Sequence, residues 1–125
     1  MLSIDWSDST SNVTIVRVFD VELLALEDGT SPFEDWFERL PAAVADRVDT
    51  AVERMRRGNL GDHKAVGEGV HEHRIHHGPG YRIYFGRDGR TLIVLIGGGT
   101  KKGQSRDIRA AQRLWKEYKA RKRRS

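Results

Sequence analysis

Gly78-Pro79-Gly80-Tyr81-Arg82-Ile83-Tyr84-Phe85, then Arg87-Asp88-Gly89-Arg90, then Leu92-Ile93-Val94-Leu95-Ile96: these consecutive blocks decide the fold. Asp88-Gly89 between two runs rich in β-branched and aromatic residues is a strong hairpin signal. Alternation puts Tyr81, Ile83 and Phe85 on one face of the first strand and Arg82 and Tyr84 on the other. Leu92–Ile96 is apolar on both faces, so it belongs in the middle of a sheet. Upstream, residues 63–77 read as extended, with Gly67 and Gly69 marking an irregular stretch before the regular part of that strand. Extended segments at about 63–77, 80–87 and 91–97 thus form an antiparallel run.

The flanks read as helices. Ser31 can cap a helix with Pro32 in its first position and Glu34 completing a capping box. Phe33, Trp36, Phe37 and Leu40 follow at helical spacing. Pro41 separates this helix from a second, whose stripe is Val44, Ala45, Val48, Ala51, Val52 and Met55 and which ends at Gly58-Asn59. Val13–Phe19 reads as a strand, and residues 1–12 as a polar leader. Ile108, Ala111, Trp115 and Tyr118 mark a last amphipathic helix. The expected architecture is a single α+β domain over residues 13–120, β-αα-βββ-α, with a mostly antiparallel sheet and a basic tail at 121–125.

The 125 residues have no cysteine, which excludes disulfide scaffolds, thiolate zinc sites and thiol catalysis. No apolar run approaches a membrane span and no signal peptide is visible, so a cytoplasmic protein without a membrane role is expected. The net charge of +4 conceals a gradient. Residues 1–62 carry 13 acids and 6 bases, whereas residues 101–125 carry 11 bases and only Asp107 and Glu117. Such a basic end suits a polyanion, nucleic acid or acidic protein, although a solvated helix with a basic tail has the same composition.

Chemistry is expected on the sheet face turned away from the helical hairpin. Glu72, Arg74 and His76 share that face with Arg82 and Tyr84, and two arginines on neighbouring strands can hold a phosphate bidentately. A solvated face with Glu72 paired to Arg82 uses the same residues. Gly97-Gly98-Gly99-Thr100 before Lys101 and Lys102 reads as a glycine loop at a helix start, either an anion site or a tight turn. His71, His73, His76 and His77 are read as packed or boundary histidines rather than metal ligands, so no metal or cofactor is expected.

Residues 33–108 resemble the RelE/ParE superfamily of toxin–antitoxin toxins, in the addiction module killer protein branch close to HigB. The resemblance is carried by Phe33–Phe37, Arg57-Gly-Asn-Leu-Gly-Asp-His-Lys64, Gly67–Val70, Glu72–Ile75, Gly78–Phe85, Gly98–Lys101, Gln104 and Arg106–Ile108. The chain departs from that pattern at His73, Thr100 and Lys102, the last adding a cation.

The resemblance implies a RelE-like fold and a metal-independent endoribonuclease, an mRNA interferase, that cuts message on the ribosome. Translation and growth would then stop. It also implies a cognate antitoxin, of helix-turn-helix, HigA-like type, with operator DNA reached only through that partner. In such a reaction a ribose 2′-OH attacks the adjacent phosphate, a base takes its proton, and cations stabilise the charge that develops. Arg74 and Arg82 are the expected phosphate ligands, Lys64 or His76 the base, and Tyr84 an orienting or proton-supplying group. Lys101, Lys102 and Arg106 would contact phosphate nearby. The reading requires both guanidinium groups to reach one phosphodiester unburied. Two alternatives fit the same fold: a ParE-like gyrase inhibitor, and a non-catalytic antitoxin-binding corepressor.

Overall fold

The signals at the helix starts act as expected in the computed structural model, which describes residues 18–124. After strand β1 (Asp20–Leu23), Ser31 caps α1 (Pro32–Glu38), its Oγ accepting from the Glu34 N–H at 3.1 Å. Pro41 then stands at the N-cap of α2 (Ala42–Arg56). Gly58 leaves the helix with φ +95°, a conformation a side chain would strain. The remaining elements are β2 (His63–Ala65), β3 (Val70–Ile75), β4 (Tyr81–Asp88), β5 (Leu92–Thr100), a 3-10 turn at Lys101–Gly103, and α3 (Gln104–Arg124).

Four expectations are adjusted. The extended stretch 63–77 is two strands, not one. Gly67, Glu68 and Gly69 all have positive φ and fold β2 back antiparallel onto β3. The three glycines after Ile96 belong to β5 rather than to a loop, because β4 pairs with them as far as Thr100. The strand expected at 13–19 falls mostly outside the described residues, and the first strand seen begins at Asp20. Residues 121–124 continue α3 instead of forming a tail. Arg121 Nη2 donates to the Ala25 carbonyl at 3.1 Å, and Lys122 Nζ to Asp88 Oδ2 at 2.7 Å, so the start of this last turn is tied to the segment after β1 and to the end of β4.

The sheet order is β1-β5-β4-β3-β2, with β1 parallel to β5 and the other neighbours antiparallel. The α+β class and the central place of Leu92–Ile96 are as expected. One face packs on α1 and α2 through Phe33, Val48, Met55, Ile75, Ile83, Phe85, Ile93 and Leu95. The other packs on α3 through Leu24, Val70, Tyr84, Val94, Ile96, Ala111 and Trp115. The sheet is therefore covered on both faces, which the sequence reading did not foresee. A bulge opposite Tyr84 and Phe85 inserts Ile96 as an unpaired residue. It resets the alternation, so that Gly98 lies under the Trp36 indole of α1 and Gly99 under the Asp107 carboxylate of α3. Among the described residues no helix is long and apolar enough to cross a membrane.

Candidate functional site

Register places the candidate residues. Arg74 of β3 lies directly opposite Arg82 of β4, Glu72 opposite Tyr84, and Lys64 of β2 opposite Glu72. All five side chains therefore leave the sheet on the α3 side. α3 covers that side unevenly. Its Ala111 and Trp115 pack over the middle of the sheet, and Gly86 leaves room for the indole ring. The first turn of α3 stands nearer the strand ends, where a cleft of about 450 Å³ opens. Arg74, His76, His77, Gly80, Arg82 and Lys101 line it.

This corrects the expectation of an open face. Glu72 and Tyr84 are fully buried, and the side chain of Arg82 is 10% exposed, against 34% for Arg74. Tyr84 donates its hydroxyl to Glu72 Oε2 at 3.2 Å, and burial followed by the Glu72 charge raises its pKa. It is thus a buried structural phenol. The reason is the apolar stripe of α3, which needs a partner surface and finds it in Val70, Tyr84, Val94 and Ile96.

Glu72 organises the interior of the site. Its Oε2 also accepts from Gln104 Nε2 at 2.7 Å and lies 3.6 Å from Arg82 Nε. Gln104 is the first residue of α3, so the carboxylate ties that helix to β3. Among the described residues, Glu72 Oε1, Arg74 Nε and Arg82 Nε are buried without a hydrogen-bond partner. A Cβ at Gly80 would lie 3.2 Å from Arg82 Nη1, so the glycine leaves room for the guanidinium in the cleft.

At the rim, Asp62 joins two candidates. Its Oδ1 accepts from Arg74 Nη2 at 3.0 Å and its Oδ2 contacts His76 Nε2 at 2.6 Å. The His76 bond, then Arg74, hold the Asp62 carboxyl below the usual carboxylate range. A carboxylate only accepts, so His76 Nε2 carries a proton and the neutral ring keeps its lone pair on Nδ1. A larger cleft of about 640 Å³, walled by α2, shares Arg74, Ile75, His76 and His77 but lacks Arg82 and Lys101.

The structure thus brings Arg74, Arg82, His76 and Lys101 to one cleft. Lys64, Lys102 and Arg106 are exposed but do not line it. Lys101 sits there because its backbone N–H reaches the Gly80 carbonyl at 3.3 Å, not because glycines form an anion loop. His71 stacks on Phe85 at 5.4 Å, and His73 donates from Nδ1 to the Leu60 carbonyl at 2.9 Å, so both are packed histidines. The residues missed at sequence level are Asp62 and Gln104. Asp62 lies in the Gly-Asn-Leu-Gly-Asp block, where a carboxylate just before a strand was a usable signal.

No family model matches the chain. A protein of Haemophilus influenzae described as uncharacterized is 36% identical to it over 89 residues, 70% of this chain and 90% of that protein. The chain belongs to that protein's family. The alignment takes in nearly the whole of that relative.

Proposed function

We propose that this chain is a RelE/ParE-type toxin of the HigB-like branch, a metal-independent endoribonuclease that cuts message on the ribosome and is neutralised by a cognate antitoxin. The observation that carries the reading is the facing pair Arg74 and Arg82, which share one cleft with Lys101 and His76; the Arg74 side chain is 34% exposed and that of Arg82 10%, so Arg74 alone meets the expectation of an unburied guanidinium. Three cations around one concavity suit a phosphodiester whose charge increases during attack.

In this reading the 2′-OH loses its proton to His76 Nδ1 while its oxygen bonds to phosphorus. Arg74 and Arg82 hold the equatorial oxygens. The bond to the 5′ oxygen breaks, leaving a 2′,3′-cyclic phosphate and, once protonated, a 5′-hydroxyl. Asp62 orients the imidazole and stabilises its charged form. His76 is favoured over Lys64 as base because only His76 lines the cleft. Cytoplasmic action with ribosome, message and antitoxin as partners follows from the same reading.

A second reading has its own observation. Arg82 is nine-tenths buried, as suits a scaffold that binds an antitoxin and cuts nothing. Expression of wild type and Arg82→Ala without a partner protein separates the two. Growth arrest with cleaved message for wild type, lost in a folded Arg82→Ala protein, supports the nuclease. Retained toxicity in that variant rejects the assignment, a harmless wild type supports the scaffold, and DNA breaks without RNA cleavage point to gyrase.

A further inference from the structure

The cationic cleft is continuous with a second feature. α3 is a 21-residue helix, about 30 Å long, and its inner stripe is fixed to the sheet by Ala111 and Trp115. Its outward side carries Arg106, Arg109, Arg113 and Lys116 at spacings of three, four and three, and Arg123 and Arg124 extend the same side, with Glu117 the one carboxylate among them. All six are exposed. Apart from Arg106, which lies 3.8 Å from Asp107, none of them has an ion-pair partner among the described residues.

Like charges three and four positions apart repel each other along a helix. Elsewhere the chain separates its charges. Residues 20–38, which run from β1 to the end of α1, hold seven carboxylates and no lysine or arginine. Of these, Glu34, Asp35 and Glu38 lie on α1, on the opposite face of the sheet from α3, whereas Glu22 lies beside Val94 on the α3 side. α3 itself carries nine lysines and arginines against Asp107 and Glu117, so an approaching polyanion is turned toward it.

We infer that the outward side of α3 is a docking rail for the sugar–phosphate backbone of folded RNA. The inference deepens the RNA-cleaving reading and rests on it. Two features favour RNA over an acidic protein. The rail is mainly arginine, whose planar fork suits phosphate oxygens. At its start Lys102 and Lys101 lead into the cleft, so one polymer can lie on the rail and present a linkage to Arg74 and Arg82. The rail is also rigid, since Tyr118 Oη and Lys122 Nζ both donate to Asp88 Oδ2. The helix that carries the cations is thus fixed before any ligand arrives.

The test uses the full chain and a labelled RNA duplex of about 20 base pairs, which is not a message and is not expected to be cut. Binding is followed by anisotropy over a salt series for wild type and for Arg109→Gln/Arg113→Gln/Lys116→Gln. The substitutions are at exposed positions, and a thermal melt checks that the fold is kept. The rail predicts binding at least about tenfold weaker in the triple variant, with a salt slope shallower by about two to three units. Unchanged duplex binding overturns it. So does a triple variant that loses only a poly-glutamate peptide, which would make the partner an acidic protein. Message cleavage by the same proteins is scored separately. Weakened duplex binding with no cleavage by wild type keeps the rail and removes the nuclease, and the converse removes the rail alone.

Discussion

Glu72 Oε2 stands 3.6 Å from Arg82 Nε across neighbouring strands, the carboxylate and that nitrogen both buried while the rest of the guanidinium borders the cleft. The separation is too long for a hydrogen bond, so the carboxylate acts on the guanidinium through charge alone while bonding Tyr84 and Gln104. Removing one partner of a buried pair strands the other. Glu72→Ala is therefore expected to cost about 3–5 kcal/mol in urea unfolding. A double variant that also replaces Arg82 with Met is expected to recover part of that loss. A double variant no more stable than Glu72→Ala would show that the two groups are uncoupled.

The glycine run of β5 gives a positional prediction. A Cβ at Gly98 would overlap the Trp36 indole, whereas one at Gly97 meets nothing within 4 Å. Gly98→Ala is expected to destabilise the fold by about 1–3 kcal/mol, the range for overpacking. Gly97→Ala is expected to be near neutral. Equal melting temperatures for the two variants would contradict the packing described.

Stability is expected to fall on mild acidification. Burial lowers the pKa of both His71 and His73, so the unfolded chain takes up these protons at higher pH than the folded one. The stabilisation is fully present above the ordinary histidine value of 6.5 and is lost as pH falls below it. His73→Gln, which keeps a donor for the Leu60 carbonyl, is expected to flatten the pH dependence of unfolding between about pH 6.5 and 5.

For the proposed cleavage, His76→Ala is expected to lower the rate by about 10²–10⁴-fold, the usual contribution of a general base. Asp62→Asn, which leaves the ring in place but removes its charged partner, is expected to give a smaller loss and a shifted pH–rate profile. A His76→Ala enzyme with the wild-type profile would pass the role of base to another group.

Much of this was legible before the fold was known, and for physical reasons. Ser31-Pro32 and Asp88-Gly89 fix a helix start and a hairpin through local geometry alone. Tyr81, Ile83 and Phe85 were assigned correctly to the helical-hairpin side because strand alternation leaves one choice once the apolar set is known. What failed was the other side. The stripe Ile108, Ala111, Trp115 and Tyr118 was visible, but its docking surface was not, because Tyr84 and Glu72 read as polar. Val94 and Ile96, apolar on the supposedly open face, were the signal that a second layer must cover it. The site was legible as a set of cations, but the burial of Arg82 and the linking role of Asp62 depend on distant segments meeting.

The parallel strand at the sheet's margin has a consequence for how the chain is born. Asp20 pairs with Leu92 and Leu23 with Leu95, so the earliest described strand finds its neighbour only when most of the polypeptide has been synthesised. Until then β1 has no ladder to join. From then until β1 docks, the backbone of β5 is left unpaired along one flank, beside its most hydrophobic residues. Premature termination before residue 95 would leave that closure impossible, and such fragments should be prime clients for chaperones and proteases.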